Sequence, residues 1–130
     1  MIDSANRSSA PQSVLIVEDE KLLRWSIARG LQRAGYQVLE AATAAEAASL
    51  AQQADLILLD LKLPDGDGLA ALRRWRGAGT HCPVVVLSAF ASVEDEQLGR
   101  TLGVNHFAAK PLDSAALLLL IEKYLPSARE

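Results

Sequence analysis

Short runs of apolar residues alternate along this chain with segments in which apolar residues recur every three or four positions. Five such runs, most of them rich in leucine and β-branched residues, cover residues 14–17, 37–40, 56–59, 84–87 and 106–109. A continuous apolar run is typical of a strand that is buried on both faces, as in a parallel sheet. The pattern therefore predicts five strands.

The segments between the runs predict five helices, each marked by a capping residue at its start or by glycine or proline at its end. The first has an apolar face formed by Leu22, Leu23, Ile27 and Leu31, and the second follows the capping-box sequence Thr43-Ala44-Ala45-Glu46. The predicted helices cover residues 22–33, 43–53, 68–75, 92–102 and 113–126.

Strands that alternate with helices form a parallel sheet covered on both faces through right-handed crossovers. We therefore predict an α/β fold with a doubly wound five-stranded parallel sheet of order 2-1-3-4-5, a flavodoxin-like three-layer α/β/α arrangement. This domain is expected to span residues 13–126, with residues 1–12 as a disordered tail and residues 127–130 as a C-terminal tail. In such sheets ligands bind beyond the carboxyl ends of the strands, where the strand order reverses.

The composition restricts the classes of function. The 130 residues carry 13 basic and 16 acidic side chains, and this mild net charge of −3 argues against direct nucleic-acid binding. No apolar run approaches the roughly 20 residues that span a bilayer, and no secretory signal is visible. The single cysteine, Cys82, fits a reducing compartment. We expect a cytoplasmic domain without membrane contact.

Polar residues stand where four of the predicted strands end. Glu18 and Asp19 follow the first strand, Asp60 the third, Ser88 the fourth and Lys110 the fifth. Carboxylates that converge in a cleft repel one another, and a hard divalent cation such as Mg²⁺ removes that repulsion. The set predicts a phosphoryl-transfer site with a carboxylate nucleophile, in which metal, lysine and hydroxyl neutralise the phosphoryl oxygens.

Each of these residues taken alone has an ordinary structural explanation. An acidic residue after a strand is usually a helix cap or a turn residue, and Glu20 is interpreted in this way. A lone Ser88 is usually a turn or cap hydroxyl, and a lone Lys110 is usually a solvated surface cation. Their joint placement at four strand ends favours the functional interpretation.

The motifs around these strand ends resemble those of a known family. They are Glu18-Asp19-Glu20, LILLDLKLPDGDG over residues 56–68, Val84-Val85-Val86-Leu87-Ser88-Ala89 and Phe107-Ala108-Ala109-Lys110-Pro111. In this order and spacing they resemble the receiver domain of response regulators, and the resemblance covers residues 13–125. It implies a two-component signalling module, and no turnover enzyme, whose partner is a sensor histidine kinase or a histidine phosphotransfer protein.

The resemblance also implies where the phosphoryl group and the metal bind. Asp60 is the expected phosphoacceptor. Asp19, Asp60 and the backbone carbonyl of Lys62 are expected to hold Mg²⁺ directly, and Glu18 is expected to reach the ion through a water molecule.

The remaining implied roles concern phosphoryl binding and signalling. Lys110, Ser88 and the backbone of Ala89 are expected to bind the phosphoryl group, and the Lys110–Pro111 peptide bond is expected to be cis. Ser88 and Phe107 are expected to form the switch. They would change the face formed by the fourth helix, the fifth strand and the fifth helix.

Lys62 and Phe90 each lie two residues beyond a key residue and depart from the common pattern. In similar domains these positions tune how fast water attacks the acyl phosphate. We predict that bulky Phe90 and cationic Lys62 obstruct that water and lengthen the phosphorylated lifetime. The alternative is that Phe90 covers an edge of the core.

The last predicted helix is apolar nearly all round, which indicates that something further covers it. The stripe expected to face the sheet comprises Leu117, Leu120, Ile121 and Tyr124. Leu118 and Leu125 lie on a second stripe and are predicted to contribute to a homodimer or a partner contact. The alternative is that they are scattered exposed leucines without a role.

Two other functions compete with the signalling module. A phosphohydrolase with an aspartyl nucleophile would carry a second aspartate two residues later, where this chain has Lys62. An interaction domain without phosphorylation is disfavoured because Asp19, Asp60, Ser88 and Lys110 are all present. Residues 19–26 are similar to receivers of enhancer-binding transcriptional activators, which favours a fragment of a transcription regulator over a stand-alone receiver.

Overall fold

The structure is a computed structural model that describes residues 11–111 and 113–126. The five strands of the main sheet are β1 (Ser13–Val17), β2 (Gln37–Ala41), β3 (Leu56–Asp60), β4 (Val84–Ser88) and β5 (His106–Ala109). The helices are α1 (Lys21–Arg33), α2 (Ala44–Ala48), α3 (Gly68–Gly77), α4 (Val93–Thr101) and α5 (Ser114–Tyr124). A 3₁₀ turn at Ala51–Gln53 follows α2, and Lys62–Leu63 pairs with Gly66–Asp67 in a short antiparallel hairpin.

The main sheet has the strand order β2-β1-β3-β4-β5, and every neighbouring pair is parallel. This confirms the predicted doubly wound order. The register places Val17 beside Leu59 and Ser88 beside Ala109. The residues at the strand ends therefore meet at one edge of the sheet.

Two apolar clusters cover the two faces of the sheet because successive side chains of a strand point to opposite sides. One lies under α2, α3 and α4, and the other lies under α1 and α5. β3 and β4 are buried along their whole length, as the continuous apolar runs predict. The buried central strands give the polar residues at their ends a fixed support.

The predicted N-terminal tail and the predicted second helix each differ in part from the structure. Residues 1–10 and 127–130 lie outside the described residues, whereas the carbonyl of Gln12 accepts a hydrogen bond from the amide of Gln37. The second helix ends at Ala48 and not near Gln53. The hydroxyl of Ser49 donates to the carbonyl of Glu46 at 3.3 Å, a local side-chain bond that competes with continued helix.

The apolar face of α1 is narrower than the sequence pattern predicts. Ile27, Ala28 and Leu31 are buried, but Leu22 is 69% exposed, so its assignment to the buried face is wrong. Leu22 lies in the first turn of α1, which begins at Lys21.

The last helix, α5, buries Leu117 and Ile121 against the sheet as predicted. Leu125 is only 6% exposed, and its carbonyl accepts a 2.5 Å hydrogen bond from the buried hydroxyl of Tyr36. Leu125 therefore belongs to the core, and its prediction as an interface residue is wrong. Leu118 is half-buried and keeps part of its surface exposed.

Arg76 of α3 ties the distal end of α4 to the rest of the molecule. Its guanidinium donates hydrogen bonds to the carbonyls of Leu102 and Gly103, which follow α4, at 2.8 and 3.3 Å. It also donates to the carbonyls of Thr80 and Cys82, before β4, at 3.1 and 2.8 Å. One side chain thus joins three segments at the end of the sheet opposite the acidic residues.

Among the described helices, none combines the length and apolarity needed to cross a membrane.

Candidate functional site

Three carboxylates converge at the carboxyl ends of β1 and β3. Oxygen atoms of Glu18, Asp19 and Asp60 lie within 4.8 Å of one another. Glu18 is 2% exposed and Asp60 is 8% exposed, whereas Asp19 is open to solvent. The predicted grouping of these three residues therefore occurs in the structure, because Val17 and Leu59 pair directly before them.

Lys110 projects its ammonium between two of these carboxylates. Its Nζ donates to Oε1 of Glu18 at 2.6 Å and to Oδ2 of Asp60 at 3.0 Å. The amide of Lys110 donates to the carbonyl of Ser88, and the peptide bond between Lys110 and Pro111 is cis. The expected cis bond is confirmed, and the predicted lysine reaches the acidic group.

Backbone amides bind the remaining oxygen of each buried carboxylate. The Glu20 amide donates to Oε2 of Glu18 at 3.0 Å, and the Lys62 amide donates to Oδ1 of Asp60 at 3.2 Å. Glu20 occupies the N-cap position of α1, but its side chain makes no capping bond. Both buried carboxylates are thus held by donors on two sides, which fixes their orientation.

The charges at the site do not balance, because three carboxylates face one ammonium. Burial raises the pKa of Glu18 above its usual 4.5, and the charge of Asp60 adds to this, although hydrogen bonds from Lys110 and the Glu20 amide oppose it. Burial works to lower the pKa of Lys110, but its hydrogen bonds to Glu18 and Asp60 outweigh burial and hold the pKa above 10.5. A further cation is therefore favoured at this place.

The donor set fits Mg²⁺. This ion prefers oxygen ligands, takes one or two carboxylates and keeps several waters. Asp19 and Asp60 offer carboxylate oxygens, and the open side at Asp19 leaves room for waters. Glu18 lies close enough to act on a bound ion, directly or through water.

Ser88 is buried at the end of β4, and its hydroxyl is engaged within its own loop. Oγ donates to the carbonyl of Phe90 at 2.8 Å and accepts a hydrogen bond from the Phe90 amide at 3.1 Å. The structure therefore places Ser88 at the predicted strand end, but its hydroxyl bonds the loop backbone. To bond a phosphoryl oxygen it must give up a hydrogen bond worth about 1 kcal/mol.

Phe90 and Lys62 both line one cavity. Phe90 is 73% exposed, so it does not cover an edge of the core. The cavity has a volume of about 460 Å³ and is also lined by Asp67 and Asp95. The two predicted flanking residues are thus exposed beside the acidic group.

The ring of Phe107 lies between the sheet and α4. It is half-buried and packs on the cluster under α2, α3 and α4. A second cavity of about 230 Å³ borders both Phe107 and Ser88. One cavity therefore adjoins both Phe107 and Ser88.

Two residues that the sequence analysis did not assign also support the site. A β-carbon on Gly68 would lie 2.3 Å from the carbonyl oxygen of Asp60, so only glycine lets α3 start this close. The carboxylate of Asp65 accepts hydrogen bonds from the amides of Ala44 and Ala45 at 2.9 and 3.0 Å, which anchors the hairpin that carries Lys62. A glycine at the predicted start of a helix indicates a close backbone approach, so the sequence did contain a signal for Gly68. The bonds of Asp65 have no local sequence signal.

Comparisons with known proteins agree with this geometry. The sequence profile of the response regulator receiver domain matches residues 14–122. The transcriptional regulatory protein VxrB of Vibrio cholerae is 37% identical over 116 residues, which cover 89% of this chain and 47% of that protein. This chain thus spans about half the length of that relative. The sporulation initiation phosphotransferase F of Bacillus subtilis is 30% identical over 117 residues, which cover 88% of this chain and 94% of that protein.

A solved structure shows the same fold. It is the receiver domain of a sensor histidine kinase from Pseudomonas aeruginosa, with a TM-score of 0.78 and 31% identity, covering 91% of this chain and all of that one. That domain was solved with a magnesium ion coordinated in its active-site cleft. On the profile match, the relatives and the shared fold, this chain belongs to the response regulator receiver domain family and is the receiver domain of a two-component response regulator.

Proposed function

We propose that this receiver domain accepts a phosphoryl group on Asp60 from a phosphohistidine of a sensor histidine kinase or a histidine phosphotransfer protein. The observation that carries the proposal is the ammonium of Lys110, which bridges Glu18 and Asp60 inside a group of three converging carboxylates. A lysine in this position stabilises negative charge on the oxygens of an incoming phosphoryl group.

In the proposed reaction, a carboxylate oxygen of Asp60 forms a bond to phosphorus while the bond between phosphorus and the donor imidazole nitrogen breaks. The leaving nitrogen keeps the electron pair of that bond and takes a proton from solvent. The Lys62 amide and the Lys110 ammonium orient the carboxylate, each through one oxygen. Lys110 then shifts from the carboxylate to a phosphoryl oxygen.

Asp19, Asp60 and the backbone carbonyl of Lys62 would hold Mg²⁺, and Glu18 would reach it through water. When bound, this ion supplies positive charge that offsets the repulsion between the carboxylates and the phosphoryl oxygens. The support is the fit of the oxygen donors and the excess of negative charge at the site.

The signal would leave the site through Ser88 and Phe107. Ser88 gives up its bonds to Phe90 and, with the backbone of Ala89, binds the phosphoryl group. Phe107 turns toward the space beside Ser88, and the face formed by α4, β5 and α5 changes with it. Leu118 remains a proposed contact on this face for a second copy or another partner.

The domain would act as a signalling module whose acyl phosphate decays slowly, without turnover of a separate substrate. Its relatives include proteins named as transcriptional regulators, which supports a role in transcription control by a larger protein. We also propose a cytoplasmic location, because the single cysteine, Cys82, fits a reducing compartment.

Incubation with acetyl phosphate and Mg²⁺, followed by intact mass measurement, tests the proposal. The chain should gain the mass of one phosphoryl group, and Asp60→Asn should gain none. Glu20→Gln, a change at a neighbouring exposed carboxylate, should be labelled like the parent. A label that persists in Asp60→Asn, or a parent that takes none with or without Mg²⁺, would contradict it.

A further inference from the structure

Gly99 lies in the interior of α4 and is buried. Glycine is, apart from proline, the least favourable residue inside a helix because it loses the most backbone freedom on folding. Its presence at this position therefore needs a packing reason.

The reason is the ring of Phe107. A β-carbon on Gly99 would lie 2.4 Å from Cζ and 2.7 Å from Cε1 of that ring, and 3.4 Å from Cγ2 of Val104. No side chain at position 99 can coexist with the ring where it now lies. By contrast, a β-carbon on Gly30 or Gly77, which also lie in helices, would have no atom within 4 Å.

The Phe107 side chain also borders a cavity. Phe107 sits beside Val86 in the sheet register, two residues before the strand end. The cavity of about 230 Å³ next to it is bordered by Ser88, Phe90 and Glu96. The ring thus has an occupied position under Gly99 and an adjoining unfilled one beside Ser88.

We propose that Gly99 is a positioning residue for the signalling switch. Because Gly99 has no side chain, the Phe107 ring can lie in its present position against α4. Gly99 thereby sets the balance between this ring position and the one beside Ser88. The link to signalling rests on the proposed function, because the position beside Ser88 is the one that phosphorylated Asp60 would favour.

Gly99→Ala tests the inference, and Gly77→Ala is the matched control because it adds the same methyl group to a helix where there is room. In the parent and in Gly77→Ala, nuclear Overhauser contacts should join the Phe107 ring protons to the α-protons of Gly99. In Gly99→Ala, the ring should lose its contact with residue 99 and gain contacts with Ala91 and Ser88. A ring that keeps its parental contacts in Gly99→Ala overturns the inference.

The second measurement is the affinity for beryllofluoride, a phosphoryl analogue, in the presence of Mg²⁺. Gly99→Ala should bind it at least about threefold more tightly than the parent, and this gain should vanish when Phe107 is also replaced by alanine. An unchanged or weaker affinity, or a gain that persists without the ring, overturns the inference. Gly77→Ala should bind like the parent.

Two outcomes could otherwise confuse the test. If Gly99→Ala fails to fold, Gly99→Ala combined with Phe107→Ala should recover the fold, because the clash is with the ring. A double variant that stays unfolded overturns the inference. If the parent binds no beryllofluoride, the proposed function fails, whereas the ring contacts still decide the role of Gly99.

Discussion

Replacing Lys110 by methionine removes the ammonium that bridges Glu18 and Asp60 while keeping an unbranched side chain of similar length. Breaking a buried ion pair at one partner costs about 3–5 kcal/mol, because the other charge stays buried without compensation. The Glu18 side chain is almost fully buried, whereas that of Lys110 is 22% exposed. We therefore expect the free energy of unfolding to fall by about 3 kcal/mol near neutral pH without Mg²⁺.

The pH dependence of this loss has a defined sign. Lys110 has a raised pKa, so its contribution to stability is complete below pH 10.5 and disappears as pH rises through that raised value. Without Lys110, the pKa of Glu18 loses a hydrogen bond that lowers it and rises further above 4.5. Glu18 of the variant is then protonated at a higher pH than in the parent, and the stability deficit should shrink as pH falls through that raised pKa.

The same substitution should strengthen binding of Mg²⁺. At an effective dielectric constant of 20, two unit charges about 4 Å apart interact by about 4 kcal/mol, and solvent at Asp19 reduces this value. We expect affinity about tenfold higher in Lys110→Met, which corresponds to about 1.4 kcal/mol. Mg²⁺ should therefore restore part of the lost stability.

Urea unfolding followed by circular dichroism, in EDTA and in saturating Mg²⁺, measures both effects. Arg73→Met, at an exposed position of α3, is the control and should change stability by less than about 0.5 kcal/mol. If Lys110→Met unfolds at the parental midpoint in EDTA, or if Mg²⁺ stabilises it no more than the parent, the charge reasoning is wrong.

Three further predictions concern residues around the site. Gly68→Ala should lose about 2 kcal/mol in urea unfolding, because its β-carbon meets the Asp60 carbonyl at 2.3 Å; Gly77→Ala should not. If Phe90 obstructs water at the phosphorylated Asp60, as we predict, Phe90→Ala should hydrolyse the aspartyl phosphate severalfold faster; an unchanged decay by intact mass would contradict this. Hydrogen bonds from the amides of Ala44 and Ala45 lower the pKa of Asp65 below 3.8. The contribution of Asp65 to the free energy of unfolding is therefore present above pH 3.8 and is lost as pH falls through the lowered pKa. Asp65→Asn should therefore lose less stability than the parent between about pH 5 and about pH 3 in urea titrations.

The sheet could be predicted closely because its signals are local. β3 and β4 are each one residue longer than the apolar runs that predicted them, and the added residues are Asp60 and Ser88. A strand buried on both faces is an uninterrupted apolar run, so the first and last residues of the strand can be read from the sequence. The convergence of Glu18, Asp19 and Asp60 followed from the parallel topology alone.

The features that escaped prediction depend on partners that are distant in sequence. Leu125 packs in the cluster under α1 and α5, and its carbonyl accepts a hydrogen bond from Tyr36, 89 residues earlier. Asp65 bonds to amides about 20 residues before it. The orientation of the Ser88 hydroxyl depends on the turn at Phe90, which side-chain type alone does not specify.

The four carbonyl oxygens held by Arg76 have a mechanical consequence for α4. Arg76 binds the carbonyls of Leu102 and Gly103 at the C-terminal end of α4. The N-terminal end of α4 has a local capping box formed by Ser92 and Asp95. Sliding the whole helix would sever the guanidinium bonds, whereas swinging it about the moored end leaves them intact. We therefore expect a displacement of α4 that starts near its capping box to be a tilt, which is smallest at the end held by Arg76.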